Sequence, residues 1–163
     1  MQRVVMFNGG ADIDPSIYGE KNTGESSVSE QHDLWDLNNY ERAKTNGLPC
    51  SGICRGAQLL WALSGGKICQ NIIKRHCHIH ALDGLWFLTN SLHHQGIILT
   101  DGKPPDGIEV LATHEGVVEA FYGTNKDGLV VLGVQGHPEM CDWWHPLHKF
   151  FYDKVEEMEK LCT

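Results

Sequence analysis

The sequence predicts a single α/β domain built on a mainly parallel β-sheet. Short apolar runs alternate with stretches of helical periodicity, which is the pattern of strands joined by crossover helices. Three of these apolar runs end in polar, glycine-rich loops, at residues 8–10, 52–56 and 135–139. In such sheets, ligands bind beyond the carboxyl ends of the strands. The 163 residues contain no repeat or linker, so one domain over residues 1–163 is expected.

The hydrophobic pattern and the turn residues place the individual elements. Strands are predicted at residues 3–7, 48–53, 85–89, 108–113, 117–122 and 130–134. Helices are predicted at residues 33–44, 57–63 and 143–158. The apolar face of the first helix is predicted from the spacing of Leu34, Leu37, Tyr40 and Ala43. Residues 11–32 read as a polar surface loop and residues 67–73 as a turn or short helix, while residues 74–96 show no clear period.

Composition limits the partners and the compartment. The net charge of −8, without a basic stripe, argues against nucleic-acid binding. No apolar run approaches the roughly 18 residues that cross a bilayer, which argues against a membrane protein. Residues 1–10 lack the apolar core of a signal peptide, so a cytoplasmic protein is expected. In a reducing compartment the six cysteines should be thiols rather than disulfides.

Cys54 lies where a predicted strand turns into a predicted helix. Gly52 and Gly56 stand two residues to either side, and a sharp strand-to-helix turn tolerates only small side chains there. The turn exposes Sγ at a helix N-terminus, whose positive end favours the reactive thiolate. The backbone N–H of Arg55 would face a developing oxyanion. A cysteine in a glycine-rich turn is more often structural, but this context, which includes Gln58, favours a nucleophile.

A thiol nucleophile needs a base that is held by a third group. His137 and Glu139 follow directly on the strand at 130–134, and Pro138 fixes the backbone between them. Residues two apart point the same way in an extended chain, so Glu139 can orient the imidazole of His137. His137 can then take the proton of Cys54. The His-Pro-Glu sequence is a weak signal alone and gains weight from its pairing with the strand-to-helix turn.

These segments resemble a known superfamily. Residues 52–58 (GICRGAQ) and 133–139 (GVQGHPE) are similar to the class I glutamine amidotransferases, and more narrowly to the gamma-glutamyl-gamma-aminobutyrate hydrolase branch. Residues 9–20 (GGADIDPSIYGE), 90–95 (NSLHHQ) and 115–120 (EGVVEA) are also similar to that branch. The resemblance covers nearly the whole chain in the same order.

The resemblance implies a flavodoxin-like three-layer sandwich and hydrolysis of a gamma-glutamyl amide, either glutamine or a gamma-glutamyl amine, through a glutamyl thioester. It assigns the nucleophile, the base and the residue that orients the base to Cys54, His137 and Glu139. It places the oxyanion hole at the backbone amides of Gly10 and Arg55. It lines the substrate pocket with Gln58, His93, His94 and Gln95. The alternatives are a glutaminase subunit that supplies ammonia to a partner synthase and a degenerate member that only binds, which the intact triad disfavours.

The sequence departs from the resembled family in two places. Family members usually carry a strand, a helix and a second strand before the glycine loop, whereas only residues 1–7 precede it here. We therefore expect an N-terminally shortened sheet whose uncovered edge, near residues 3–7, associates as a homodimer or with a synthase. An aromatic residue usually precedes the catalytic histidine. Gly136 takes its place here and is expected to open one wall of the pocket.

A histidine-rich segment offers a different interpretation. Residues 75–80 (RHCHIH), followed by His93 and His94, contain the ligand types of a zinc site. The set lacks a second compact ligand pair at a recognised spacing, and the resembled family has histidine here without a metal. We expect a loop that lines the pocket, and we expect no metal or other cofactor to be required.

Overall fold

The computed structural model describes residues 3–72, 78–81 and 86–161. The strands are β1 (Val5–Phe7), β2 (Cys50–Ile53), β3 (Lys67–Cys69), β4 (His78–Ala81), β5 (Trp86–Leu88), β6 (Gly96–Ile98), β7 (Ile108–His114), β8 (Val117–Thr124) and β9 (Val130–Val134). The helices are α1 (Glu30–Asn46), α2 (Arg55–Leu63) and α3 (Pro146–Lys160), and short 3-10 turns lie at Pro15–Tyr18 and Pro138–Met140. None of the helices in the described ranges has the length and apolar character needed to cross a membrane.

Seven of the described strands form one mixed sheet, in the order β1-β2-β9-β8-β7-β4-β5. Strands β1, β2 and β9 pair in parallel, and the other neighbours pair antiparallel. Phe7 lies opposite Gly52, and Ile53 lies opposite Val134. The three glycine-rich loops that follow these parallel strands therefore emerge at one edge of the sheet. The expected association at the β1 edge stays a prediction.

Helices cover both faces of the sheet. Trp61 of α2 packs edge-to-face on Phe121 of β8, with ring centroids 5.1 Å apart, in a core that also receives α1. On the opposite face, Phe151 of α3 lies in a second core with Val134 of β9. Alternate residues of one strand serve the two cores, as the pleat requires. The predicted three-layer α/β class is confirmed, and its parallel part is the half that carries the glycine-rich loops.

Several short elements differ from the sequence prediction. Residues 67–69 form a strand rather than a turn or helix, because they pair antiparallel with β6. Strand β4 lies in the stretch 74–96, to which no element could be assigned, and β6 begins at the last residue of that stretch. Helix α3 begins at Pro146 rather than at residue 143. His145 caps the helix there, because its Nδ1 accepts a hydrogen bond from the backbone N–H of Leu147 at 3.2 Å.

Helix α1 forms as predicted but presents a different face to the core. Asp33 and Asp36 are buried together with Tyr40 and Ala43. Leu34, which was expected to be buried, has 55% of its surface exposed. An apolar helix face would not bury two carboxylates, so a cation must meet them in the interior. That cation belongs to the candidate active site.

Candidate active site

Cys54 occupies the bend between β2 and α2. Its backbone has φ 53° and ψ −110°, a conformation that side-chain-bearing residues rarely adopt. Its N–H donates to the carbonyl of Val134 at 2.8 Å, and its own carbonyl accepts the N–H of Gln58 at 3.0 Å. The strained residue is therefore held on one side by β9 and on the other by the first turn of α2.

The two glycines around Cys54 permit this bend. A Cβ on Gly52 would lie 2.5 Å from the backbone of Gly56, and a Cβ on Gly56 would lie 2.1 Å from the carbonyl oxygen of Phe7. Both distances are shorter than real contacts, so β1, β2 and the start of α2 come together only where side chains are absent. The sequence predicted that only small side chains fit on either side of Cys54, and the close approach of the backbones confirms this.

The environment of the Cys54 thiol differs from the sequence expectation. Only 8% of the residue is exposed. This burial raises the pKa of the thiol to about 11; the Arg55 N–H opposes the rise, and the charges of Glu139 and Asp12 add to it. The expectation that the turn exposes Sγ is therefore wrong. The N–H of Arg55 at the helix N-terminus lowers the pKa of the thiol, as expected, but desolvation outweighs its contribution. A protonated thiol requires a base.

His137 is the candidate for that base. Its Nδ1 lies 2.6 Å from Oε1 of Glu139, and the two residues are joined by a 3-10 turn rather than by the extended chain that was predicted. A Cβ on Gly9 would lie 2.8 Å from Cε1 of His137 and 3.7 Å from Cβ of Cys54. The imidazole and the cysteine thus flank the same glycine, and the structure brings together all three residues that were assigned from the resemblance.

Arg55 buries its side chain instead of extending it into solvent. The guanidinium donates to the carboxylates of Asp33 and Asp36 on α1, and the three side chains are nearly inaccessible. The second oxygen of Asp33 accepts the N–H of Asp14 at 3.1 Å. A Cβ on Gly10 would lie 3.5 Å from Cδ of Arg55, so the glycine loop passes directly over the arginine.

We call these three side chains the Arg55 cluster. It connects α1, the glycine loop and the Cys54 bend, and it explains why α1 turns Asp33 and Asp36 inward. Sequence analysis did not find it. The available signal was a lone arginine in an apolar turn together with two aspartates three apart on one helix, but nothing in the sequence pairs them.

The predicted substrate-binding residues divide into two groups. Three of them meet at the backbone carbonyl of Gln95. This oxygen accepts a hydrogen bond from Nε2 of Gln58 at 3.4 Å and lies 2.7 Å from Nδ1 of His93. His94 turns away, is exposed, and lies with Nε2 2.9 Å from a carboxylate oxygen of Asp12 in the early loop. A substrate-binding role for all four residues stays a prediction.

Gly136 does not open the pocket as expected. It is buried, and a Cβ on it would lie 2.9 Å from Oγ1 of Thr89, 3.0 Å from Cδ2 of Leu147 and 3.4 Å from the carbonyl oxygen of Asn90. The place of the usual aromatic side chain is filled by the segment after β5 and by α3. The departure from the family pattern therefore changes packing around His137.

The histidine-rich segment at residues 75–80 was the basis of the metal interpretation. Among the residues whose side chains the structure describes, 3–72 and 87–161, no three His, Cys, Asp or Glu are grouped to hold a metal ion. The side chains that carried that interpretation, those of His76, Cys77, His78 and His80, lie outside this described part. The expectation that no metal is required stays a prediction. Four cysteines of the described part are free thiols, at positions 50, 54, 69 and 141.

Cys54 is expected to be the first thiol labelled by a glutamine-like diazo-ketone, because it lies in the bend beside Gly9, which the ring of His137 also flanks. Burial raises the pKa of Cys50 to about 12, which leaves that thiol less reactive still. A general alkylating agent should react with Cys54 faster as the pH rises towards 11, since only the thiolate attacks. Peptide mass spectrometry locates the label. First labelling of Cys50, Cys69 or Cys141 by the diazo-ketone would rule out the assignment.

Comparisons with known proteins give one family model and several relatives of the same kind. Residues 3–139 match the family model of peptidase C26. The Lactococcus lactis protein YvdE, which is named as glutamine amidotransferase-like, is 30% identical over 164 aligned positions that cover 85% of this chain and 66% of the relative. The gamma-glutamyl-CDP-amidate hydrolase of Campylobacter jejuni is 26% identical, and the match covers 84% of this chain and 62% of that enzyme.

A solved structure has the same fold. A glutamine amidotransferase from Thermotoga maritima superimposes with a TM-score of 0.60 at 16% identity, over 98% of this chain and 68% of that one. The chain spans about two thirds of the length of these two curated relatives, or slightly less. Since the family model matches most of the chain, the chain belongs to the peptidase C26 family, within the class I glutamine amidotransferase-like superfamily.

Proposed function

We propose that this domain hydrolyses gamma-glutamyl amides, either glutamine or a gamma-glutamyl amine, with Cys54 as a covalent nucleophile. One observation carries the proposal: Cys54, held in a strained bend, flanks Gly9 together with His137, whose Nδ1 lies 2.6 Å from Glu139. A nucleophile, a base and a group that orients the base are what acyl transfer from an amide requires.

The first half-reaction forms a thioester. His137 accepts the proton of the Cys54 thiol as Sγ attacks the gamma-carbonyl carbon, so the buried thiolate need not exist before substrate arrives. The oxyanion of the tetrahedral intermediate accepts hydrogen bonds from the backbone N–H groups of Arg55 and Gly10. When the carbon–nitrogen bond breaks, the imidazolium returns its proton to the leaving amine, and the glutamyl group stays on sulfur.

The second half-reaction releases glutamate. His137 takes a proton from water, whose oxygen attacks the thioester carbonyl, and the imidazolium then protonates the departing sulfur of Cys54. Glu139 fixes the tautomer in both halves, because Nδ1–H donates to its carboxylate and leaves Nε2 as the acceptor. Glu139 is 41% exposed, so water screens part of its charge, and its main contribution is orientation.

The pocket for the glutamyl group is proposed to lie beside Gln58, His93 and Gln95, with His94 at its exposed rim. Gln58 lies in the first turn of α2, directly after Cys54, and it meets His93 at the carbonyl of Gln95. These side chains would offer amide and imidazole groups to a small zwitterion. The similarity to a gamma-glutamyl-CDP-amidate hydrolase of Campylobacter jejuni supports gamma-glutamyl chemistry for this chain.

Mass spectrometry tests the proposed function. The protein is incubated with glutamine and with a panel of gamma-glutamyl amines, quenched in acid and digested. We expect a glutamyl adduct on the peptide that contains Cys54, together with free glutamate and amine. Cys54→Ala is the control and should give neither adduct nor product. Glutamate release that persists in the control would overturn the covalent mechanism. Turnover that needs an added synthase would favour the ammonia-supplying alternative.

A further inference from the structure

The side chain of Asn90 holds the main chain of His137 at both of its polar groups. Nδ2 of Asn90 donates to the carbonyl of His137 at 3.0 Å, and Oδ1 accepts the N–H of His137 at 2.8 Å. Only the amide nitrogen can donate, so the two bonds together fix the orientation of the amide. We call this pair of hydrogen bonds the Asn90 clamp.

The Asn90 clamp joins segments that are distant in sequence. Asn90 lies just after β5, and it reaches His137 because the backbone at residues 89–90 runs close to the end of β9. Gly136 makes that approach possible, since a Cβ there would lie 2.9 Å from Oγ1 of Thr89 and 3.4 Å from the carbonyl oxygen of Asn90. Cys141 completes the packing, with Sγ 3.6 Å from Nδ2 of Asn90 and 3.5 Å from the His137 carbonyl.

The sheet does not hold the main chain of His137, so a contact from another segment must fix it. It lies beyond the last residue of β9, with φ −103° and ψ 88°, at the start of the 3-10 turn. Its N–H is therefore outside the sheet ladder, and Asn90 supplies the acceptor. Glu139 belongs to the same turn as His137, so it orients the ring within the turn. It cannot by itself set the distance from the turn to Cys54, which is carried by β2 and α2.

We propose that Asn90 is a positioning residue that fixes the catalytic base relative to the nucleophile. This inference rests on the proposed function, in which His137 acts on the Cys54 thiol. Asn90 contacts the main chain of the base and takes no proton itself. Its contribution should therefore appear in the chemical step and not in the binding of substrate.

Kinetics of Asn90→Ala test the inference against a matched control. Asn125, which is buried where Asn90 is half-buried, likewise holds a loop through its side chain. Its Oδ1 accepts hydrogen bonds from the N–H groups of Asp127 and Leu129, each at 3.1 Å, and its Nδ2 donates to Tyr40 at 2.8 Å. It lies between β8 and β9, at the opposite end of β9 from His137. We expect Asn90→Ala to lower kcat by about 10²-fold with KM nearly unchanged. Asn125→Ala should lower stability and leave both constants unchanged for the folded fraction.

A second measurement does not depend on turnover. The rate of Cys54 alkylation by iodoacetamide is determined for the wild type, Asn90→Ala, His137→Ala and the double variant. We expect Asn90→Ala to reproduce most of the slowing caused by His137→Ala, and the double variant to react no more slowly than His137→Ala alone. If glutamine and its analogues are not substrates, the proposed function fails while this comparison still tests the Asn90 clamp.

Two results would overturn the inference. One is a kcat for Asn90→Ala equal to that of the wild type after correction for the folded fraction. The other is a slowing of alkylation that adds to the effect of His137→Ala, which would mean that Asn90 acts independently of the base. If Asn90→Ala does not fold, Asn90→Asp serves the same test. It keeps the acceptor for the His137 N–H, loses the donor, and should give a smaller loss of the same kind.

Discussion

Replacing Cys54 with alanine is expected to lower kcat/KM for gamma-glutamyl amides by about 10⁴-fold while the fold persists. The substitution removes the atom that forms the thioester, and alanine adds no volume to the bend. His137→Ala should be nearly as severe, because a thiol with a pKa of about 11 is protonated at neutral pH without its base. Glu139→Gln should be milder, since it weakens orientation and leaves the base in place.

Cys50→Ala is the matched control for the nucleophile. Cys50 begins strand β2, which leads to the Cys54 bend, and it is a fully buried free thiol in regular strand backbone. Its loss should lower stability and spare turnover of the folded protein. Steady-state kinetics, together with urea denaturation of each variant, separate the two effects. An active Cys54→Ala variant would exclude covalent catalysis by this residue.

Asp36→Ala is expected to destabilise the domain by about 3–5 kcal/mol, because it leaves the buried guanidinium of Arg55 with one partner fewer in a site that excludes water. Asp36→Asn keeps an acceptor and should cost less. The free energy of unfolding from urea titration measures the effect. Activity should fall with it, since Arg55 follows Cys54 in the chain and its N–H faces the thiol.

Lys44→Ala provides the contrast on the same helix. Lys44 pairs with Asp127 at 3.0 Å, but its side chain is 42% exposed, so the pair is solvated and screened. The urea midpoint of this variant should stay close to that of the wild type. If Asp36→Ala were as harmless as Lys44→Ala, the carboxylates would have to be hydrated, and the Arg55 cluster would not hold α1 against the Cys54 bend.

The site was predictable where its signal is local. Two glycines, each two residues from Cys54, indicate a close approach of backbones. This steric requirement can be recognised from residues 52–56 alone. The place of His137 followed from a buried strand that ends just before it. These features do not depend on distant partners, which is why the sequence sufficed for the fold class and for naming Cys54, His137 and Glu139 as candidates that the fold brings to one place. Their catalytic roles stay predictions.

The remaining features depend on partners that a pattern cannot name. The inward turn of Asp33 and Asp36 follows from Arg55, and Leu34 is exposed as a result. The raised pKa of Cys54 follows from burial, which is a property of the assembled core. Strands β3, β4 and β6 have three or four residues each, too few to show a period, and pairing with neighbours makes them strands. The Asn90 clamp has the same origin.

Strand β9 follows every other strand of the sheet in chain order, yet it lies between β2 and β8. Its arrival supplies both the Val134 carbonyl that fixes the Cys54 bend and the His137 that follows the strand. A chain folded only as far as β8 would hold a cysteine with neither the bend nor the base. Non-local pairing of this kind forms slowly compared with the β7–β8 hairpin. The pairing of a bent Cys54 with His137 is thus a property of the finished domain, since it depends on the strand that is added to the sheet last in chain order.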